Sequence, residues 1–179
     1  MEQPQVIGER IHLDLLDAGR AARRDSSPGS TRYVDVADRN VHALLTAGDG
    51  SGCPATDEAA HPPPSCCLTG DVVVDLAGGG QPRHLFVVLF PVPPDEQAEF
   101  DDWFGSEHGP LLAAAGGWAR ARLVALDGGP VTRLAVHDIE DLDVLDGPDR
   151  QRAGGTAWTT RLFRRNWATS VRRHVLAAG

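Results

Sequence analysis

Reactive side chains are concentrated between Phe100 and Pro110, a stretch that reads F-D-D-W-F-G-S-E-H-G-P. Glu107 and His108 are adjacent there, and Asp102 lies one and a half helical turns before them. A half-buried histidine beside an acid suits a general base near neutral pH, because burial and the neighbouring charge set its pKa. The alternative is a structural role in which the His108 imidazolium caps a helix C-terminus and interacts with the helix dipole.

The stretch is predicted to be helical from Asp95, where acidic residues in the first turn favour the helix dipole. A period of 3.6 residues places Phe100, Trp103 and His108 on one face, which must cover a sheet. We expect Gly109 to interrupt this helix and a second short piece to run from Pro110 to 115.

The elements around this helix follow a recognisable order. An apolar run predicts a buried strand at His84–Phe90, and period-two alternation predicts strands at Trp118–Leu126 and Val131–Asp138 joined by a hairpin turn. A second helical region at 141–145, broken near 147 and resumed over about 156–167, precedes a last strand at 169–176. The order βαββαβ predicts an α+β, ferredoxin-like domain.

The first half of the chain carries weaker signals. Alternation predicts strands within 6–16 and 31–36, and a short helix is expected at 17–24. Residues 41–47 are predicted to form two helical turns, the Gly/Pro/Ser-rich residues 48–70 a flexible loop, and residues 71–76 a short strand. The glycine-rich residues 77–82 mark a boundary between domains at 1–80 and 81–179.

Composition excludes several classes of function. The net charge of −8 argues against nucleic acid or an anionic membrane as partner, because phosphate groups need a basic surface. All 17 basic residues are arginines, which rules out Schiff-base, pyridoxal phosphate and phosphate-loop chemistry based on lysine. We therefore expect neither nucleic acid nor a membrane as partner.

The cysteines and the hydropathy pattern predict a reducing, cytoplasmic location. Three cysteines, with Cys66 and Cys67 adjacent, make a poor disulfide framework, and no apolar run of membrane-spanning length occurs. His61 and these two cysteines lack a second ligand pair at zinc spacing, so we expect no metal.

The segments F-D-D-W-F-G-S-E-H-G-P-L-L, G-G-W-A-R-A-R-L, V-H-D-I-E and G-T-A-W-T-T-R-L resemble the dimeric α+β barrel superfamily, particularly its EthD-like members. The resemblance covers about residues 84–176 and rests mainly on Trp103, Glu107, His108, Pro110 and Arg122. It implies a tandem pseudo-dimer in which residues 1–80 are a degraded first repeat without the tryptophan and Glu-His motif. Both a monomer and a homodimer stay open.

The resemblance also implies cofactor-independent chemistry in a cleft between sheet and helices. His108 would be the acid/base, with Glu107 or Asp102 orienting it. The implied substrate-binding candidates are Trp103, Arg120, Arg122, Trp118, His137 and Trp158. For the arginines a solvated strand face is equally compatible with the pattern, and the aromatic residues are also compatible with a plain core.

The leading hypothesis is a cyclase or lyase/isomerase of secondary metabolism, such as antibiotic biosynthesis, that acts on a polyketide-like or other enolisable substrate. A cofactor-free monooxygenase is the rival among enzymes. A non-catalytic ligand-binding or structural subunit is the rival of another class, favoured by Phe104 where the family usually has tyrosine.

Overall fold

Eight strands close into one antiparallel barrel in the computed structural model, which describes residues 9–17, 30–48 and 66–178. The strands are β1 (Arg10–Asp17), β2 (Ser30–Asp35), β3 (Val41–Ala47), β4 (Cys66–Ala77), β5 (His84–Phe90), β6 (Trp118–Leu126), β7 (Arg133–Ile139) and β8 (Arg172–Ala178). Their order around the barrel is β1-β3-β2-β8-β5-β7-β6-β4, and β4 pairs with β1 to complete it.

The second half has the predicted ferredoxin-like order. Strands β8-β5-β7-β6 are neighbours, and helices follow β5 and β7. These helices are α1 (Gln97–Trp103), α2 (Gly109–Ala113), α3 (Pro148–Gly154) and α4 (Ala157–Leu162). The mixed α+β class and the βαββαβ order are therefore confirmed. None of the described helices is long and apolar enough to cross a bilayer.

Two interiors result from the alternation of side chains along the strands. On β5, Leu85, Val87 and Leu89 join the core inside the barrel. Phe86 and Phe90 point the other way and join the layer between sheet and helices. Each β5 residue thus contributes to one of two packed cores, which explains why the strand is apolar without interruption.

Several predicted boundaries are corrected by the structure. Residues 41–47 form β3 instead of helical turns, because Ala43 and Leu45 are buried inside the barrel between β1 and β2. Strand β4 begins at Cys66, so the predicted loop ends earlier than Gly70 and the short strand at 71–76 is part of a 12-residue one. Asp17, the first residue of the helix predicted at 17–24, is the last residue of β1. Residues 18–24 of that helix and residues 49–65 of the predicted loop lie outside the described residues.

The prediction that Gly109 interrupts the helix is wrong, because the helical backbone continues through it. A π turn at Phe104–His108 joins α1 to α2, and the Gly109 amide donates to the Phe104 carbonyl. The glycine is needed for packing, because an added Cβ would lie 2.6 Å from Leu76 Cδ1 and 2.6 Å from the Phe104 oxygen. The extra residue of a π turn rotates the side chains after it and so helps to aim His108.

Acidic side chains bind the α1 region both to the sheet and to the rest of the helix layer. Asp101 accepts two hydrogen bonds from Arg133 on β7, at 2.6 and 2.8 Å. Glu96, just before α1, accepts from Arg165 and from the Trp167 indole, each at 2.7 Å. The bidentate, largely buried Asp101 pair has the geometry in which an ion pair contributes most to orientation.

We predict that Gly109→Ala lowers the free energy of unfolding by about 1–3 kcal/mol, since the new methyl group must displace a backbone carbonyl and Leu76. Urea unfolding followed by circular dichroism would measure the change. Gly116→Ala is the matched control, because nothing lies within 4 Å of its Cβ position. Equal stability of the Gly109 variant and wild type would contradict the tight packing at the π turn.

Candidate functional site

A cavity of about 300 Å³ lies in the layer between the outer face of the sheet and the helices. Aromatic rings form much of its wall: Phe86, Phe90, Trp103, Phe104, Trp118 and Phe163. It is most open beside Gly154, Thr160 and Arg173, the exposed residues among those that line it. The cavity is therefore a mostly apolar slot with one solvent-facing side.

His108 lies on the π turn and lines this cavity. Its ring stacks on Trp103, with centroids 4.4 Å apart and an interplanar angle of 21°. Its Nδ1 is 3.1 Å from the Ala153 carbonyl oxygen. A carbonyl can only accept, so Nδ1 donates, and in the neutral ring Nε2 is left with a lone pair.

The protonation state of His108 is set by its surroundings. Burial, with a smaller contribution from the charge of Arg150, lowers its pKa to about 4. The His108 Nε2 atom makes no hydrogen bond within the described residues, and it is not buried. It is therefore accessible. His108 therefore presents an unprotonated nitrogen at neutral pH.

The Ala153 carbonyl is the common anchor of this part of the site. It lies in the last turn of α3, where carbonyl groups lack an intrahelical partner. The Thr159 hydroxyl lies 3.2 Å from it and accepts a 3.0 Å hydrogen bond from the Trp103 indole. One acceptor thus fixes the His108 ring directly and the Trp103 ring through Thr159.

Neither predicted acidic partner contacts the His108 ring. Glu107 accepts a 2.6 Å hydrogen bond from the Thr156 hydroxyl, which caps α4 by accepting from the Thr159 amide. Asp102 is exposed, and its backbone carbonyl accepts from Ser106. Glu107 thus connects the π turn to α4, while the Ala153 carbonyl orients the histidine.

His137, on β7, is brought into the same cavity. It is only 2% exposed and stacks on Phe86 at 5.6 Å between centroids, with Trp118 edge-on at 5.0 Å. Burial, reinforced by the nearby His108, lowers its pKa to about 3. Its Nδ1 is buried and has no hydrogen-bond partner among the described residues. An unpaired acceptor is less costly there than an unpaired N–H, which favours the Nε2–H tautomer.

Arg120 and Arg122 lie on the opposite face of β6 from the cavity. Their neighbours Ala121 and Leu123 belong to the helix-side core, so the two arginines point toward the barrel. Arg120 binds Asp75 at 2.7 Å, and Arg122 binds Asp138 at 2.7 Å. The Arg120 hydrogen bond lowers the pKa of Asp75, whereas burial raises the pKa of Asp138.

Of the predicted aromatic residues, Trp103 and Trp118 line the cavity and Trp158 does not. Trp158 is half-buried, with the Arg161 guanidinium 5.8 Å from its ring centroid.

Sequence reasoning missed Arg150 and Arg173, which both line the cavity. Arg150 lies on α3, inside a segment that was predicted to be a break between helical pieces. Arg173 alternates with Val175, a member of the helix-side layer, so strand periodicity alone could have placed it on that face. No group of three or more histidine, cysteine or acidic side chains suited to a metal ion occurs in the part of the chain that the structure describes.

No protein-family model and no curated protein matches this sequence, but solved structures do. An anthrone oxidase-like protein matches at a TM-score of 0.64 and 14% identity, covering 96% of this chain and 92% of that one. The heme-degrading enzyme of Listeria monocytogenes matches at 0.60 and 8% identity, covering 95% and 99%. An uncharacterized ferredoxin-fold protein related to antibiotic biosynthesis monooxygenases, from L. monocytogenes 4b F2365, matches at 0.61 and 8%, covering 99% of each chain.

What these proteins share with this chain is the fold. Identities this low show a shared fold and do not carry residue roles over to this chain. One of these proteins is described as a ferredoxin-fold protein, and a ferredoxin-like fold is what the order of elements in the sequence predicted.

We predict that His137 makes the protein less stable in acid. Between the ordinary histidine pKa of 6.5 and the folded value of about 3, the unfolded chain binds a proton that the folded chain excludes. Stability therefore falls as the pH drops through this window, by about 1.4 kcal/mol per pH unit for one such group. His137→Phe should lose about 2–3 kcal/mol less than wild type between pH 7 and 4.5, measured by urea unfolding.

Phe86→Leu serves as the control, because it disturbs the same ring cluster without removing a titrating group. It should lower stability by similar amounts at both pH values. An unchanged pH dependence in His137→Phe would contradict a buried neutral histidine.

Proposed function

We propose that this protein is a cofactor-independent acid/base enzyme, a cyclase or lyase/isomerase, that removes a proton from an enolisable, flat, polyketide-like substrate. The observation that carries the proposal is the state of His108. Its Nδ1–H is committed to the Ala153 carbonyl, and its Nε2 lone pair is accessible at an aromatic-walled cavity. A general base needs this arrangement of fixed tautomer and free nitrogen.

A base with a pKa of about 4 is always unprotonated at neutral pH, but it is weak. Proton removal from carbon then depends on stabilising the enolate oxygen that forms. His137, in its Nε2–H tautomer, could donate to that oxygen, and the Arg150 charge lies close enough to depress the pKa of both histidines. Such preorganised groups favour the charge that develops in the transition state.

A cofactor-free monooxygenase is the second candidate. The names of the anthrone oxidase-like neighbour and of a Lactobacillus acidophilus neighbour described as a putative monooxygenase favour it. It requires the same first step, because the carbanion left by proton removal is the species that reacts with O₂. The two candidates therefore share His108 and differ in the fate of that carbanion.

The strand order supports the proposal that residues 1–80 are a degenerate copy of residues 81–179. The first half runs β4-β1-β3-β2 and the second β8-β5-β7-β6, which is the same order for strands in the same chain positions. Each described strand has neighbours on both sides, so one chain completes the sheet. A homodimer, if formed, would pair other surfaces.

We predict that His108→Gln slows deuterium uptake at the acidic methylene of anthrone by about 100-fold or more, since a general base contributes 10²–10⁴-fold. Proton NMR under anaerobic conditions in D₂O, corrected for the uncatalysed rate, would measure it. Activity should be flat near neutral pH and fall through an acid limb near pH 4, because the active form of His108 is the neutral one.

His174→Gln is a matched control, because His174 contacts Asp35 and does not line the cavity, and glutamine can keep that contact. Equal exchange by His108→Gln and wild type, or no exchange above background with wild type, would overturn the proposal. Oxygen uptake in the aerobic reaction would select the monooxygenase. Binding of anthrone without exchange or oxygen uptake would indicate the ligand-binding alternative.

A further inference from the structure

Arg150 and Arg173 line the cavity without a partner of opposite charge. Neither makes an ion pair or hydrogen bond within the described residues, whereas Arg120, Arg122 and Arg133 each bind a carboxylate. Among the residues that the structure describes, no aspartate or glutamate lines the cavity. Two positive charges therefore remain uncompensated at one site.

The charge of Arg150 acts on Arg173 and on both histidines. Burial lowers the pKa of Arg173, and the charge of Arg150 lowers it further. The charge of Arg150 also depresses the pKa of His108 and of His137. Because both histidines are neutral, the positive charge of the cavity comes from the arginines alone, of which Arg173 is exposed and Arg150 is half-buried.

The positive charge of the cavity is opposite in sign to the net charge of the whole chain. The protein carries 25 acidic residues and a net charge of −8, yet none of its described carboxylates neutralises this pair. Two like charges held close together cost free energy unless a ligand offsets them. Guanidinium groups form paired hydrogen bonds with a planar carboxylate, which suits a ligand with an acid group attached to a ring.

We propose that Arg150 and Arg173 bind the carboxylate of the substrate while its fused or single aromatic ring fills the slot between Trp103, Phe104 and Trp118. The natural substrate is then an enolisable aromatic compound that also carries a carboxylate, and anthrone is a neutral analogue of it. The inference rests on the proposed function in treating the cavity as the active site. The preference for an anion can nevertheless be measured without turnover.

The test compares 2-naphthoate with 2-naphthamide, which share shape and differ in charge, by isothermal titration calorimetry on the full chain. Wild type should bind the naphthoate about tenfold or more tightly than the amide, and added salt should weaken the naphthoate alone. Arg150→Gln and Arg173→Gln should each weaken naphthoate binding about tenfold and change amide binding less than twofold. Arg150→Lys should restore part of the loss.

Arg152→Gln and Arg172→Gln are matched controls that remove the same charge within two residues but outside the cavity. Both should bind naphthoate as wild type does. Equal affinities for the two ligands, no binding of either, or the same loss in Arg172→Gln would overturn the proposal. His108→Gln should keep the charge preference, so loss of exchange activity in that variant does not affect this inference.

Discussion

Strands β5 and β7 bury both of their faces, and this constraint determines where the functional groups lie. The barrel takes one set of alternating side chains, such as Leu85 and Val87, and the helix layer takes the other, such as Phe86. A shift of one residue would exchange the two sets. The cavity exists because the helix layer covers the outer face of the sheet incompletely beside β8 and the turn between α3 and α4.

The same constraint explains why the predicted and observed sites differ. The apolar runs predicted β5 and β6 and the order of elements, since strand-length runs and helical periodicity are local signals. Alternation on β6 separated Arg120 and Arg122 from Ala121, but it could not show which set faced the helices. The hydrogen-bond partner of His108 could not be predicted either, because it is the backbone carbonyl of Ala153 and every residue type has such a carbonyl.

Other differences arise where tertiary packing overrides local preference. The residues of β3 include alanine and leucine, which favour helices, yet pairing with β1 and β2 buries them in the barrel. At Gly109 the sequence signal of glycine followed by proline suggested a break. In the structure the small residue allows close packing at a π turn, so the helix continues. The His108 ring is then held by Trp103 and by the Ala153 carbonyl.

Arginine plays two different parts near the site, as the partner of a carboxylate and as an unpaired cation that lines the cavity. Toward the barrel, Arg120 and Arg122 already hold Asp75 and Asp138, so a ligand anion would have to displace a bound carboxylate. In the cavity, Arg150 and Arg173 have no such bond to break. The Arg122–Asp138 pair is the more buried of the two, and removing one partner of a buried pair leaves an unpaired charge, so Arg122 serves the stability of the fold and not ligand binding. A bound anion would therefore pair with Arg150 and Arg173 without first breaking an existing ion pair within the described residues.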